Sequence, residues 1–204
     1  MITEYKINWA IPKNIGYFIS TNKTGNSKGK YKRANFSNQV GEDSKNVESN
    51  IKELKILHGL NDITFMNQTH SNTVLKVSKE HTDLDCDAMF TEDKTISCAV
   101  LTADCIPILV TESSGRMIGC IHAGWRGLQS NIIGNFFSNF KSISKSNFRI
   151  LLGPCISAQN YEVGDEIFYQ FSNYSERFRK NKSGNYYMDL KKIAFLNFQK
   201  YLIL

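Results

Sequence analysis

Residues 102–127, TADCIPILVTESSGRMIGCIHAGWRG, constrain the fold of this chain more than any other stretch. Two apolar runs, 106–111 and 117–123, flank the polar turn SSGR at 113–116. Short apolar runs bounded by turn residues read as buried strands. Two such runs joined by a few residues that include glycine read as a hairpin. A hairpin apolar on both faces must be covered on both, so the chain around it has to supply layers.

The rest of the sequence supplies them. Residues 43–58 carry Val47, Ile51, Leu54 and Leu57 at helical spacing, with Asp43 or Ser44 as cap and Gly59 as stop. A second amphipathic helix is expected over 128–140, where Leu128, Ile132, Phe136 and Phe140 share a face. Further helices are expected over 164–175 and 189–203. Strands are expected within 6–20, at 63–66 and 73–77, as a nearly continuous apolar run at 96–102, and at 148–153. Residues 21–42, with Gly25, Gly29 and Gly41, read as a long polar loop, and such loops in compact domains are often functional. Hairpins mixed with helices argue for an α+β fold with mixed sheets, in one domain spanning 1–204.

Composition excludes several classes. A hydrophobic share of 41% and an aromatic share of 12% support a core and argue against disorder. Charges interrupt the N-terminal segment, so it does not read as a signal peptide. No apolar run is long enough to span a bilayer. A soluble cytoplasmic protein is therefore expected. The net charge of +6 comes from 25 basic and 19 acidic residues, with dense clusters only at KGKYKR (28–33) and SERFRK (175–180). These read as solvated faces rather than a nucleic-acid or membrane surface, although a preference for anions such as phosphate is compatible. Five cysteines without a CxxC spacing argue against a disulfide framework.

Chemistry concentrates at the hairpin. Cys105 lies eight residues before Ser113, and His122 six after Arg116, so pairing about the turn sets Cys105 opposite the neighbourhood of His122. Opposed side chains stand roughly 4.5–5.5 Å apart at Cβ. That suits two ligands of one metal ion and equally a thiolate–imidazole dyad. A third ligand would decide. Of the four histidines, His58 reads as a helix-end residue and His81 lies in a charged loop. His70, in NQTHSN between two strands, is the remaining candidate.

The segments NQTHSNTV (67–74), CDAMFT (86–91), LTADCIPILV (101–110), IHAGWRG (121–127) and GPCISAQNYEVG (153–164) occur in that order. Together they closely resemble the family first called laccase-domain or polyphenol oxidase proteins. Its members are now described as purine nucleoside phosphorylases with adenosine deaminase and methylthioadenosine phosphorylase activity, and some as peptidoglycan editing factors. The resemblance implies zinc held by His70, Cys105 and His122, and a four-layer α/β/β/α arrangement with two mixed sheets between helices. Three protein ligands leave a fourth position open. Purine nucleosides and phosphate are the implied small-molecule partners. Asp104 is the candidate acid/base or ligand-orienting group, or else a turn cap. Arg126 is the candidate phosphate cation, unless it pairs with an acid. Gln68 and Asn35 are candidate substrate contacts, Trp125 a candidate stacking surface, and Cys155 reads as core.

Two departures from the family pattern stand out. Asn22 occupies a position where the family has Arg, and neighbouring Lys23 does not reproduce a bidentate fork. The family also continues for several tens of residues beyond a helix like 189–203, so a missing C-terminal strand segment is expected here. Three rival readings follow from the same residues. One is a copper polyphenol oxidase, which four histidines supply poorly. Another is a metal-free Cys105–His122 hydrolase. The third is a non-catalytic zinc protein.

Overall fold

A computed structural model describes residues 2–80 and 84–202. In chain order it contains α1 (Ser44–His58), β1 (Thr64–Phe65), β2 (Val74–Lys76), β3 (Ala88–Thr91), β4 (Cys98–Ala99), β5 (Ile106–Glu112), β6 (Ile118–Ala123), α2 (Trp125–Gln129), α3 (Ile132–Ser138), β7 (Phe148–Leu152), β8 (Glu162–Val163), α4 (Asp165–Gln170), β9 (Phe178–Lys180), β10 (Tyr186–Met188) and α5 (Leu190–Leu202).

The expected hairpin is the centre of a five-stranded sheet ordered β2-β3-β6-β5-β7. Only β2 and β3 run parallel; the other three pairs are antiparallel. Side chains alternate between the faces of a strand. Ala88, Phe90, Ile106, Ile108, Val110, Ile121 and Ala123 pack on one face with Ile132, Ile133 and Phe136 of α3 and Leu190, Ile193 and Phe198 of α5. Met89, Leu109 and Cys120 occupy the other face with Met66, Ile96 and Cys98. Beyond them lies the parallel pair β1–β4. Its Phe65 and Ala99 pack with Leu54 of α1. The layers therefore run helix, large sheet, small sheet, helix, and the expected mixed α+β architecture holds. A separate antiparallel sheet, β8-β10-β9, was not expected from the sequence.

Several elements differ from expectation for local reasons. The 128–140 helix is two helices, because Asn131 takes a left-handed conformation (φ 69) and ends the first. Asn tolerates that conformation better than most residues, and its Oδ1 accepts a 2.7 Å bond from the Tyr201 hydroxyl. The 164–175 helix stops at Gln170 and continues as 3-10 turns over Ser172–Arg177. The apolar run 96–102 pairs only at Cys98–Ala99, and 6–20 contributes a single bridge, Glu4 to Ser20. On α1 the Asp43 cap and the Gly59 stop (φ 62) are as expected. Its buried face, however, is Val47, Asn50 and Leu54, while Leu57 is exposed. Asn50 is fully buried because it anchors the long loop: it accepts from Asn26 N and donates to Ser27 Oγ and Asn35 O. Among the described residues no helix is long and apolar enough to cross a membrane.

Phe136 is fully buried against the rings of Phe90, Phe137 and Phe140. Phe136→Ala should lower the unfolding free energy by about 3–5 kcal/mol. Ile56→Ala, at a residue 73% exposed, should change it by less than about 0.5 kcal/mol. Denaturant titration of both variants checks the assignment of the core.

Candidate metal centre

His122 is fixed by the sheet and is almost fully buried near the end of β6. The register is the one that pairing about the Ser113–Arg116 turn sets. Pro107 stands opposite His122, and Cys105 lies beyond the end of β5, opposite Gly124 by continuation of the same pairing. Cys105, Pro107 and Leu109 follow the period of two, so the thiol shares the face of His122 as its diagonal neighbour, still within reach. Gly124 makes room for it: a Cβ there would lie 2.9 Å from the Cys105 sulfur and 3.6 Å from Cδ2 of His70.

The third residue arrives on the loop before β2. His70 has φ 60, a left-handed conformation that a non-glycine residue rarely adopts. Its ring stands 4.9 Å from that of His122, at 79°. The ligand atoms of His70, Cys105 and His122 all lie within 4.8 Å of one another. Zinc bonds to nitrogen and sulfur are roughly 2.0–2.3 Å long, so donors around a tetrahedral ion stand about 3.3–3.8 Å apart. Small side-chain rotations therefore suffice, and the donor set fits a divalent ion of the zinc type. His58 is far from this role: its ring stacks on Phe18 at 4.0 Å, and its Nε2 lies 3.2 Å from Glu4. His81 lies outside the described residues.

Asp87 is the residue that sequence reasoning missed. It is fully buried. Its Oδ1 accepts from His70 N (3.0 Å) and faces His122 Nδ1 at 2.7 Å. Its Oδ2 accepts from Ser71 N (2.6 Å), Ser71 Oγ (2.8 Å), Thr69 N (3.2 Å) and Thr69 Oγ1 (3.3 Å). The available signal was an acid inside the apolar segment CDAMF, since acids are rarely buried unless paired. Burial alone would raise the Asp87 carboxyl, but His122 and the Ser71 donors more than offset it and hold it at about 2. Burial likewise opposes charge on His122, yet Asp87 and the Cys105 sulfur outweigh it and raise the ring to about 9. Partial burial and the neighbouring His122 lower His70.

Of the other expected residues, Asn35, Gln68 and Asp104 line a cleft of about 970 Å³ together with His70, Cys105 and His122. The Gln68 amide brackets the backbone of Leu101, donating to its carbonyl and accepting from its N–H, both at 2.8 Å. Asn35 folds its own loop, donating to Ser37 O and Glu42 and accepting from Ser37 N. The Asp104 side chain is exposed, and its backbone carbonyl accepts from Ile156 N. Arg126 is exposed with its guanidinium 4.3 Å from the Trp125 ring centroid, and has no carboxylate partner among the described residues. Cys155 is partly buried against the core. Tyr161 belongs to the same neighbourhood. Burial, then the Cys105 sulfur, push its phenol up to about 12, with Arg126 opposing and Asp104 adding.

The sequence profile described as multi-copper polyphenol oxidoreductase laccase matches residues 16–203. A purine nucleoside phosphorylase of Haemophilus influenzae is 31% identical over 194 residues, covering 92% of this chain and 79% of that protein. The purine nucleoside phosphorylase YfiH of Escherichia coli is 32% identical over 161 residues, covering 78% of this chain and 66% of its own. Among solved structures, protein NMB0706 of Neisseria meningitidis aligns with a TM-score of 0.89 at 30% identity, covering 98% of this chain and 83% of that one. YlmD of Geobacillus stearothermophilus aligns at 0.83 and 25%, covering 90% and 75%.

Two outcomes follow from this geometry. Gly124→Ala should leave the fold intact but weaken zinc binding, because its methyl group crowds the Cys105 sulfur; competition against a zinc chelator measures it. In the metal-free protein, the His122 pKa lies above its ordinary 6.5, so its stabilisation is full below pH 6.5 and lost as pH rises to about 9. Asp87 lies below its ordinary 3.8, so its contribution is full above that pH and lost towards about 2. Each limb should slope by up to about 1.4 kcal/mol per pH unit, and the alkaline limb should flatten in His122→Ala.

Proposed function

Because the chain belongs to the multi-copper polyphenol oxidoreductase laccase family, and its curated relatives are named purine nucleoside phosphorylases, we propose that it cleaves purine nucleosides with phosphate, using one zinc ion held by His70, Cys105 and His122. Phosphorolysis of methylthioadenosine and hydrolytic deamination of adenosine belong to the same proposal. The observation that carries it is the convergence of those three donors within 4.8 Å, on the wall of a cleft of about 970 Å³ that has room for a nucleoside. A bound zinc ion supplies a Lewis acid with an open coordination position.

The chain's own residues do the rest. Phosphorolysis needs phosphate held across the sugar from the departing base. Arg126 supplies the cation: it has no carboxylate partner among the described residues, and its charge is felt at both His70 and Tyr161. Trp125 holds that guanidinium by its ring face. The exposed Asp104 carboxylate, next to Cys105, moves the proton that the reaction requires. Gln68 keeps one N–H and one lone pair beyond its two bonds to Leu101, enough to meet a substrate. Asn35 fixes a loop that contributes to the wall of the cleft. A free thiolate ligand suits a reducing compartment, in keeping with the five cysteines being unpaired, and we place the reaction in the cytoplasm.

Zinc suits this set better than a copper oxidase cluster. The chain has four histidines, of which His58 is committed to Phe18 and Glu4. One geometric observation favours a second reading. Asp87, His122 and Cys105 form a carboxylate–imidazole–thiol chain, with 2.7 Å between the first two, the arrangement of a metal-free thiol hydrolase.

Product assays separate the two. With zinc, inosine and phosphate, the wild type should release hypoxanthine, chelation should abolish release, and zinc should restore it. Cys105→Ala should lower the rate at least about 100-fold. Release that is unchanged in Cys105→Ala contradicts the proposal. Activity that survives chelation, together with alkylation of Cys105 in excess zinc, selects the hydrolase instead.

A further inference from the structure

We infer that Asp87 is a positioning residue for the metal: one carboxylate both selects which nitrogen of His122 faces the ion and holds His70 in the left-handed conformation that brings its ring to the site. The inference rests on the metal reading above and deepens it. Six groups converge on this carboxylate, and each can donate: His122 Nδ1, the backbone N–H groups of Thr69, His70 and Ser71, and the hydroxyls of Thr69 and Ser71. None of the six needs to receive a proton there. The site therefore demands a group that accepts at both ends, which is an ionised carboxylate and not an amide.

Two consequences reach the metal. His122 must carry its proton on Nδ1 to donate to Asp87, which leaves the lone pair of Nε2 for the ion. The backbone is pinned from below as well, since His122 N donates to Asp87 O at 2.7 Å. His70 pays the cost of φ 60, and three successive N–H groups, 69 to 71, offset it by closing around one anion. The histidine from the sheet and the histidine from the loop are thus oriented by the same charge, although 52 residues separate them in the chain.

Asp87→Asn exposes the logic, because an amide keeps the shape but presents one acceptor and one donor. If its NH2 faces His122, Nδ1 must become the acceptor and the proton moves to Nε2, occupying the ligating nitrogen. If its NH2 faces the loop, it opposes the N–H groups of Thr69 and Ser71 and releases His70. Either way metal affinity should fall 10–100-fold.

The experiment measures zinc affinity by chelator competition and, separately, the cobalt-substituted spectrum and the nitrogen-15 signals of His122. Wild type should bind zinc with His122 coordinated through Nε2 and a slowly exchanging Nδ1–H. Asp87→Asn should show the affinity loss and a cobalt spectrum altered in its ligand field. Zinc-loaded wild type alone keeps the test decisive if the variant does not fold: His122 coordinating through Nδ1 overturns the inference. So does an Asp87→Asn protein that folds and binds zinc with unchanged affinity and spectrum. Wild type that binds no divalent metal at all defeats the metal reading itself, a different outcome from either.

Discussion

The site depends on a negative charge placed where water does not reach it. An unpaired carboxylate in the position of Asp87 would be strongly disfavoured. Donors from the 69–71 loop and the ring of His122 surround it instead, and no part of this cage is stable without the others. The loop would not hold His70 in a left-handed conformation without an anion to close on. The anion would not ionise so readily without the loop. Folding of the sheet, which brings β3 beside β6, is what introduces Asp87 to His122. The chemistry of the site is thereby inherited from the pairing of two strands rather than from any local motif.

Backbone economy at the sheet end explains the rest of the arrangement. The β5–β6 pairing ends at Ile106 and Ala123, so Cys105 lies just beyond it and His122 just inside it, and both line the cleft. Gly124 follows immediately and leaves room for the sulfur. Helix α2 then turns the chain away, carrying Trp125 and the exposed Arg126 stacked on its ring. Strand ends beside short loops are where rigid scaffolds usually present reactive groups, and the rigid part here is the apolar hairpin with both faces covered.

Much of this was legible in the sequence because it is periodic. The hairpin 106–123, the helix of Ser44–His58 with both its caps, and a strand at 148–152 follow from spacing and turn residues, although that strand is a half-buried edge strand rather than a buried one. What was not legible depends on single residues acting against the pattern. Asn131 breaks a helix whose apolar spacing runs straight through it. Asn50 takes a buried position on α1 where the period alone would put an apolar side chain, because it holds a distant loop. The metal candidates were found because cysteine and histidine are rare and chemically marked. Their register followed from the Ser113–Arg116 turn, which sets Cys105 two residues from direct opposition to His122. Asp87 escaped because nothing local to CDAMFT says what a buried acid will meet; its partners come from two other places in the chain, the 69–71 loop and His122.

The central claim is that three side chains share one divalent ion and leave one coordination position to a small molecule. X-ray absorption at the zinc edge, on protein purified with its metal, tests it most directly. The account predicts one zinc per chain with one sulfur ligand, two imidazole nitrogens and one further light atom that exchanges when phosphate or nucleoside is added. A zinc shell closed by two sulfurs or by four protein side chains, indifferent to added ligand, would contradict it.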